Sequence, residues 1–141
     1  MFATSVKHFA LNNQEEFRHT SNVIVDDRTL YEIYLPPFKA AVQEGDSWTI
    51  MGAYDKYKNQ YASQNEYLLN KILKGEWGYK GVVVSDWGAV NNTEQAIHNG
   101  LDMEFGSWTN GLSAGTRNAY DNYYLAKPYL DLIKSGKVGT T

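Results

Sequence analysis

Gly81-Val82-Val83-Val84-Ser85-Asp86-Trp87-Gly88 decides how this chain is read. Three β-branched residues in a row favour a strand covered on both faces, as in a parallel sheet. The run breaks off at a serine and a carboxylate, so strand Gly81 to Ser85 delivers Asp86 to its C-terminal end. Working outward, three more apolar runs end in polar residues: Ser5 to Ala10, Trp48 to Tyr54, and Leu101 to Phe105. Helical patterns lie between them. Asp26-Asp27 can cap a segment through Leu30, Ile33 and Tyr34, which Pro36-Pro37 must break or restart before Phe38 to Val42. Ser63 to Glu76 repeats Leu68, Leu69, Ile72 and Leu73 at helical spacing with Ser63 as its expected cap, and Asn91 to Asn99 is a shorter helix stopped by Gly100. Ser107 to Asn118 reads as a loop, followed by a helix from Ala119 to Lys134 interrupted at Pro128.

Strand alternating with helix four times predicts parallel strands joined by right-handed crossovers, with chemistry at the C-terminal strand ends. Those ends carry Lys7-His8, Tyr54-Asp55, Ser85-Asp86-Trp87 and Asp102 to Glu104. Four β/α units make half of an eight-stranded barrel and leave two open sheet edges.

Composition narrows the function classes. The 141 residues suit one domain, and 43% are hydrophobic, enough for a core. Thirteen basic and sixteen acidic side chains are mixed along the chain for a net charge of -3, with no block of one sign to attract a phosphate backbone, so nucleic acid is not an expected partner. Without cysteine there is no disulfide framework or thiolate metal site. His8, His19 and His98 are too scattered for a metal site, and Gly106, Gly111 and Gly115 lack the spacing of a phosphate loop, so neither metal nor cofactor is expected. No signal peptide and no run of eighteen apolar residues is visible, and no membrane partner is expected. Aromatics reach 14%, with eleven tyrosines, a bias that suits sugar clefts and core packing equally.

Taken as a series, Lys7-His8-Phe9-Ala10-Leu11-Asn12-Asn13-Gln14-Glu15 with Arg18, Glu32 to Phe38, Met51-Gly52-Ala53-Tyr54, Asn65 to Leu73, Glu76 to Gly81, Val82 to Gly88 and Gly100 to Glu104 resemble family 3 of the glycoside hydrolases, in order and at matching spacing over nearly the whole chain. The resemblance implies the last four units or so of a partial (β/α)8 barrel, residues 1–141 being part of the family's N-terminal barrel domain. The activity implied for a full-length parent is retaining hydrolysis of terminal β-linked glucosyl or xylosyl residues from an oligosaccharide or glycoside. Two carboxyl groups perform it. Asp86 matches the nucleophile; the acid/base glutamate belongs to a following α/β domain, so the isolated chain is expected to be inactive. A secreted or periplasmic parent would suit such an activity.

By the same resemblance Lys7, His8 and Arg18 bind hydroxyls of the first sugar, Tyr54 sits near the nucleophile, and Trp87 walls the sugar. Each has a plainer reading: Lys7 and Arg18 as solvated charges, His8 as a strand-end histidine, Tyr54 and Trp87 as core. For Asp86 the plain reading, a cap for the helix at Asn91, is poor because that helix starts five positions further on. Asp55 departs from the family, which often has asparagine there. Ala10-Leu11-Asn12-Asn13 in place of Pro-Gly-His-Gly sets the chain apart from the family's N-acetylglucosaminidases. A different class stays open: a non-catalytic half barrel that binds carbohydrate or self-associates. An aldolase-like use of Lys7 is weak, because no phosphate-binding glycines follow the later strands.

Overall fold

A computed structural model describes residues 4–106, 121 and 123–139 of the chain. At its centre is a three-stranded parallel sheet in the order β1-β3-β6, formed by β1 (Ser5–Phe9), β3 (Thr49–Gly52) and β6 (Val82–Val84). Ile50 of β3 pairs with Val6 on one side and Val83 on the other. The peptide bonds Lys7–His8 and Phe9–Ala10 are cis, and the β1–β3 register is irregular between Val6 and Phe9.

The expected strand Leu101 to Phe105 contributes only one parallel bridge, Met103 to Val84. Its ladder is replaced by side-chain and doubled bonds. The Val83 N–H donates to Oδ2 of Asp102 at 2.8 Å, while the N–H groups of Asp102 and Met103 both donate to the Val83 carbonyl. Lys74 holds Asp102 in that place with an ion pair of 2.9 Å. The expectation that Val82 to Val84 is covered on both faces holds for Val83 and Val84 and fails for Val82, which is 38% exposed.

A second small sheet was not expected. β2 (Asn22–Val23) pairs parallel with β4 (Lys56–Tyr57), which turns back antiparallel into β5 (Gln60–Tyr61). The turn residues Lys58 and Asn59 both have positive φ, 51° and 64°, as a tight hairpin turn requires. Asn22 Oδ1 accepts from the Asn59 N–H at 2.9 Å and so stitches β2 to the turn.

Asp26 caps α1 (Asp27–Thr29), accepting from the Thr29 N–H at 2.9 Å and its hydroxyl at 2.8 Å. A wide π turn, Leu30–Tyr34, follows, and α2 (Pro36–Gln43) restarts on the two prolines, whose missing N–H groups cost nothing at a helix start. The long π-wound helix Tyr67–Glu76 presents Leu68, Leu69, Ile72 and Leu73 to the sheet, all without exposed surface. Each such side chain contributes roughly 1.5–3 kcal/mol by burial, and truncating one to alanine costs about 2–5 kcal/mol. Phe9 completes this core edge-on to Phe38 and Trp77, with ring centroids at 5.2 and 5.7 Å.

Ser63 is not the cap of that helix; its hydroxyl donates to the Ala53 carbonyl at 3.0 Å. Asn65 does the capping, accepting from the Leu68 N–H at 3.0 Å and donating to the carbonyls of Tyr57 and Gln60, so it ties hairpin to helix. α3 (Thr93–His98) is capped by Asn92, and α4 (Lys127–Lys134) carries Pro128 in its first turn, where an interruption was expected. The expected loop Ser107 to Asn118, and the helix start at Ala119, lie outside the described residues.

Candidate active site

The exit of β6 is fixed from below before any side chain points outward. Ser85 Oγ accepts from the Phe105 N–H at 2.8 Å and donates to the Phe105 carbonyl at 3.3 Å, and that carbonyl also receives the Gly88 N–H at 3.0 Å. Gly106, at φ +105°, passes so close that a Cβ there would lie 2.2 Å from the Gly88 nitrogen, so only glycine fits. The Ala89 N–H closes the turn on the Asp86 carbonyl at 3.1 Å.

On this turn Asp86 is 8% exposed. Its Oδ1 accepts from the Trp87 N–H at 2.7 Å, and its Oδ2 lies 3.3 Å from Nε2 of His8, which arrives from β1 across the end of β3. One carboxylate thus takes a hydrogen bond from its own turn and a close imidazole contact from β1, a rigid placement for a reacting group. The Tyr54 hydroxyl donates to the Trp87 carbonyl at 2.7 Å, and its backbone N–H donates to Oδ1 of Asn12 at 3.2 Å. Burial, with the charge of Asp86 and a hydrogen bond to it adding to the effect, pushes the Tyr54 hydroxyl up to about 12. It stays a neutral donor beside the carboxylate at neutral pH.

Arg18 comes to Tyr54 and not to Asp86: its guanidinium stacks 4.4 Å from the Tyr54 ring centre and pairs with Glu15 at 2.5 Å. His19 meets the same ring edge-on at 4.5 Å. Trp87 stacks on Phe105 with centroids 5.1 Å apart and planes 15° from parallel, leaving 46% of it exposed as an apolar shelf beside Asp86. Lys7 is exposed on β1 and, with His8 and Asn12, lines a neighbouring pocket of about 420 Å³; among the described residues it makes no ion pair.

The structure thus brings His8, Tyr54, Asp86 and Trp87 into one cluster, with Arg18 a layer behind and Lys7 at the rim. Sequence reasoning missed Asn12, His19, Ser85 and Phe105, which hold that cluster. Polar strand-end positions signalled Ser85; nothing local signalled the other three. Asp55, beside Tyr54, is 1% exposed with neither carboxylate oxygen hydrogen-bonded among the described residues, and burial raises its pKa. The other acids at strand ends are engaged: Asp102 with Lys74, and Glu104 through Oε2 with the Leu125 N–H at 2.7 Å. Among the described residues no three histidines or acids converge as a metal-binding group.

The sequence model described as Glycosyl hydrolase family 3 N terminal domain matches residues 1–138. A β-glucosidase of Bacteroides ovatus is 52% identical over 136 residues, 96% of this chain and 18% of its own length. Thermostable β-glucosidase B of Acetivibrio thermocellus is 43% identical over 94% of this chain and 16% of its own. The crystal structure of a β-glucosidase from Streptomyces venezuelae in complex with D-glucose superposes with a TM-score of 0.84 at 35% identity, covering 96% of this chain and 17% of that one. The chain thus spans less than a fifth of the length of each.

Proposed function

The chain belongs to glycosyl hydrolase family 3, and from that premise we propose that it carries the nucleophile-bearing part of a retaining β-glycosidase, acting in its full-length parent on terminal β-linked glucosyl or xylosyl residues. The observation that carries this reading is the Asp86 carboxylate, held by the Trp87 N–H and by His8 at the exit of β6 beside the exposed face of Trp87. The parallel order β1-β3-β6, with Met103 bridging to Val84, suits four successive units of an eightfold barrel, and we read residues 1–141 as that part of it.

In the first step an Asp86 oxygen attacks the anomeric carbon while the bond to the leaving oxygen breaks and an acid elsewhere in the parent protonates that oxygen. In the second, the same acid, now its conjugate base, takes a proton from water, which attacks that carbon and releases Asp86 as a carboxylate. Binding sugar on Trp87, His8 gives a hydroxyl partner and steadies the carboxylate; Tyr54 steadies the Trp87 carbonyl; Lys7 and Arg18 supply cationic donors at the rim and behind. The acid/base residue is assigned to a following domain.

The test is covalent labelling of the full-length parent. A 2-deoxy-2-fluoro glycoside with a dinitrophenolate leaving group needs little acid help, and its fluorine slows deglycosylation. Peptide mass spectrometry should find the sugar on the peptide Gly81 to Arg117 at Asp86, and Asp86→Asn should abolish labelling with the fold unchanged. Label on Asp55, Asp102 or Glu104 would refute the assignment.

A further inference from the structure

Away from Asp86, at the opposite ends of the same strands, lies a pocket of about 430 Å³, within the usual range of small-molecule sites of roughly 300–1,000 Å³. Trp48 immediately precedes β3, and Lys80-Gly81 immediately precede β6. Because β6 rises about 3.3 Å per residue, Gly81 and Asp86 are separated by on the order of 15 Å along the strand, too far for one sugar to reach both. Three features of this pocket belong together. Trp48 lines it with 53% of its surface exposed, although its backbone is pinned by the Val82 N–H donating to its carbonyl at 3.0 Å. Gly81 lies against that carbonyl so closely that a Cβ would come within 2.4 Å, so the wall behind the indole is rigid. Asp46 and Lys80 flank it, and neither has an ion-pair or hydrogen-bond partner among the described residues.

An unpaired carboxylate and an unpaired ammonium beside an exposed indole suit one ligand class. A phosphate would meet the carboxylate and a divalent cation the ammonium; a purely apolar ligand would desolvate both charges without return. A neutral pyranose satisfies all three groups, laying its C–H face on the indole, donating a hydroxyl to Asp46 and accepting from Lys80. We infer that Trp48, Asp46 and Lys80 form a second, non-catalytic site for a β-linked oligosaccharide on the face away from Asp86. The choice of β-linked sugar rests on the function proposed above.

The experiment is calorimetric titration of the 141-residue chain with cellotetraose and, as control, adenosine. Saturable binding of the tetrasaccharide is expected, weakened about tenfold or more by Trp48→Ala, which removes the stacking face, and roughly several-fold each by Asp46→Asn and Lys80→Met, which remove the charge from a hydrogen bond. Asp46 has φ +47°, and asparagine tolerates that backbone. If Trp48→Ala loses its far-ultraviolet circular dichroism, the Asp46→Asn, Lys80→Met double variant decides in its place. No binding by the wild-type chain, binding unmoved by these variants, or equal binding of adenosine overturns the inference. Binding lost in Trp87→Ala and kept in Trp48→Ala overturns it while leaving the Asp86 reading intact. Failure of Asp86 to label, with Trp48-dependent binding retained, overturns that reading alone.

Discussion

Replacing Tyr54 by phenylalanine separates the two things its hydroxyl does. At neutral pH the variant loses one hydrogen bond, the 2.7 Å donation to the Trp87 carbonyl, which contributes about 1 kcal/mol. In alkali the sign reverses. The hydroxyl titrates at about 12 in the folded chain against an ordinary value of 10.0. A raised value means that its contribution is complete below pH 10 and is lost as pH rises toward 12, because the unfolded chain releases the proton first. At 1.36 kcal/mol per unit, the wild type loses about 2–3 kcal/mol over that window and the phenylalanine variant loses none of it. Other tyrosines are raised as well, Tyr79 also to about 12, so the wild-type profile alone is not diagnostic. The difference between the two proteins isolates Tyr54. Urea unfolding followed by circular dichroism at pH 8, 10 and 11 should show the wild type ahead by about 1 kcal/mol at pH 8 and level or behind by pH 11. A difference that stays constant over this range would refute the claim that burial beside Asp86 holds Tyr54 protonated.

The purified 141-residue chain should show negligible turnover of cellobiose, since an alkoxide leaving group without general acid help forfeits roughly 10²–10⁴-fold; robust hydrolysis in a coupled glucose assay would contradict the two-domain reading. In the full-length parent, His8→Ala and Lys7→Ala should each lower kcat together with kcat/KM, the His8 effect being larger because, of the two, His8 is the one that lies 3.3 Å from Asp86; wild-type kcat/KM in both, at unchanged stability, would remove them from the site. Gln64→Ala should destabilise the chain by about 2–3 kcal/mol, because Oε1 of this buried side chain accepts from the N–H groups of both Asn91 and Asn92; a shift under roughly 0.5 kcal/mol in chemical denaturation, the level of a surface substitution, would show that water replaces it.

The parallel strands were legible because β-branched and apolar runs ending in polar residues have few other uses, and β1, β3 and β6 lie within those runs. Where the reading failed, side chains had taken over backbone work. Asp102 satisfies the Val83 N–H that a fourth strand would have satisfied, and Asn65 caps the helix expected to begin at Ser63. No periodicity reveals either. The hairpin from Lys56 to Tyr61 has two-residue strands and no glycine in its turn, so its signal is below what alternation can carry. Of the candidate site, the resemblance supplied the cast of residues and the structure supplied their distances. Lys7, His8 and Arg18 are equivalent as cationic neighbours of Asp86 in a linear reading. Only the arrangement of β1 beside β3 shows His8 at the carboxylate, Arg18 on the Tyr54 ring and Lys7 at the rim.

The same arrangement explains why the carboxylate depends on residues that never approach it. Asp86 takes one donor from its own turn and a 3.3 Å imidazole contact from β1, and β3 stands between β1 and β6. The distance from His8 to Asp86 is therefore set by how β1 and β6 each seat against β3, through Ile50, whose backbone partners are Val6 and Val83 and whose side chain has no exposed surface. A reacting group must be held to about 0.5 Å, and a close-packed core transmits the loss of even one methylene to its neighbours. The turn from Ser85 to Gly88 is tied separately, through Phe105 and the close passage of Gly106, by contacts in which β1 has no part. Two independent supports converge on one carboxylate: the local turn fixes where Asp86 stands, and the sheet fixes whether His8 meets it.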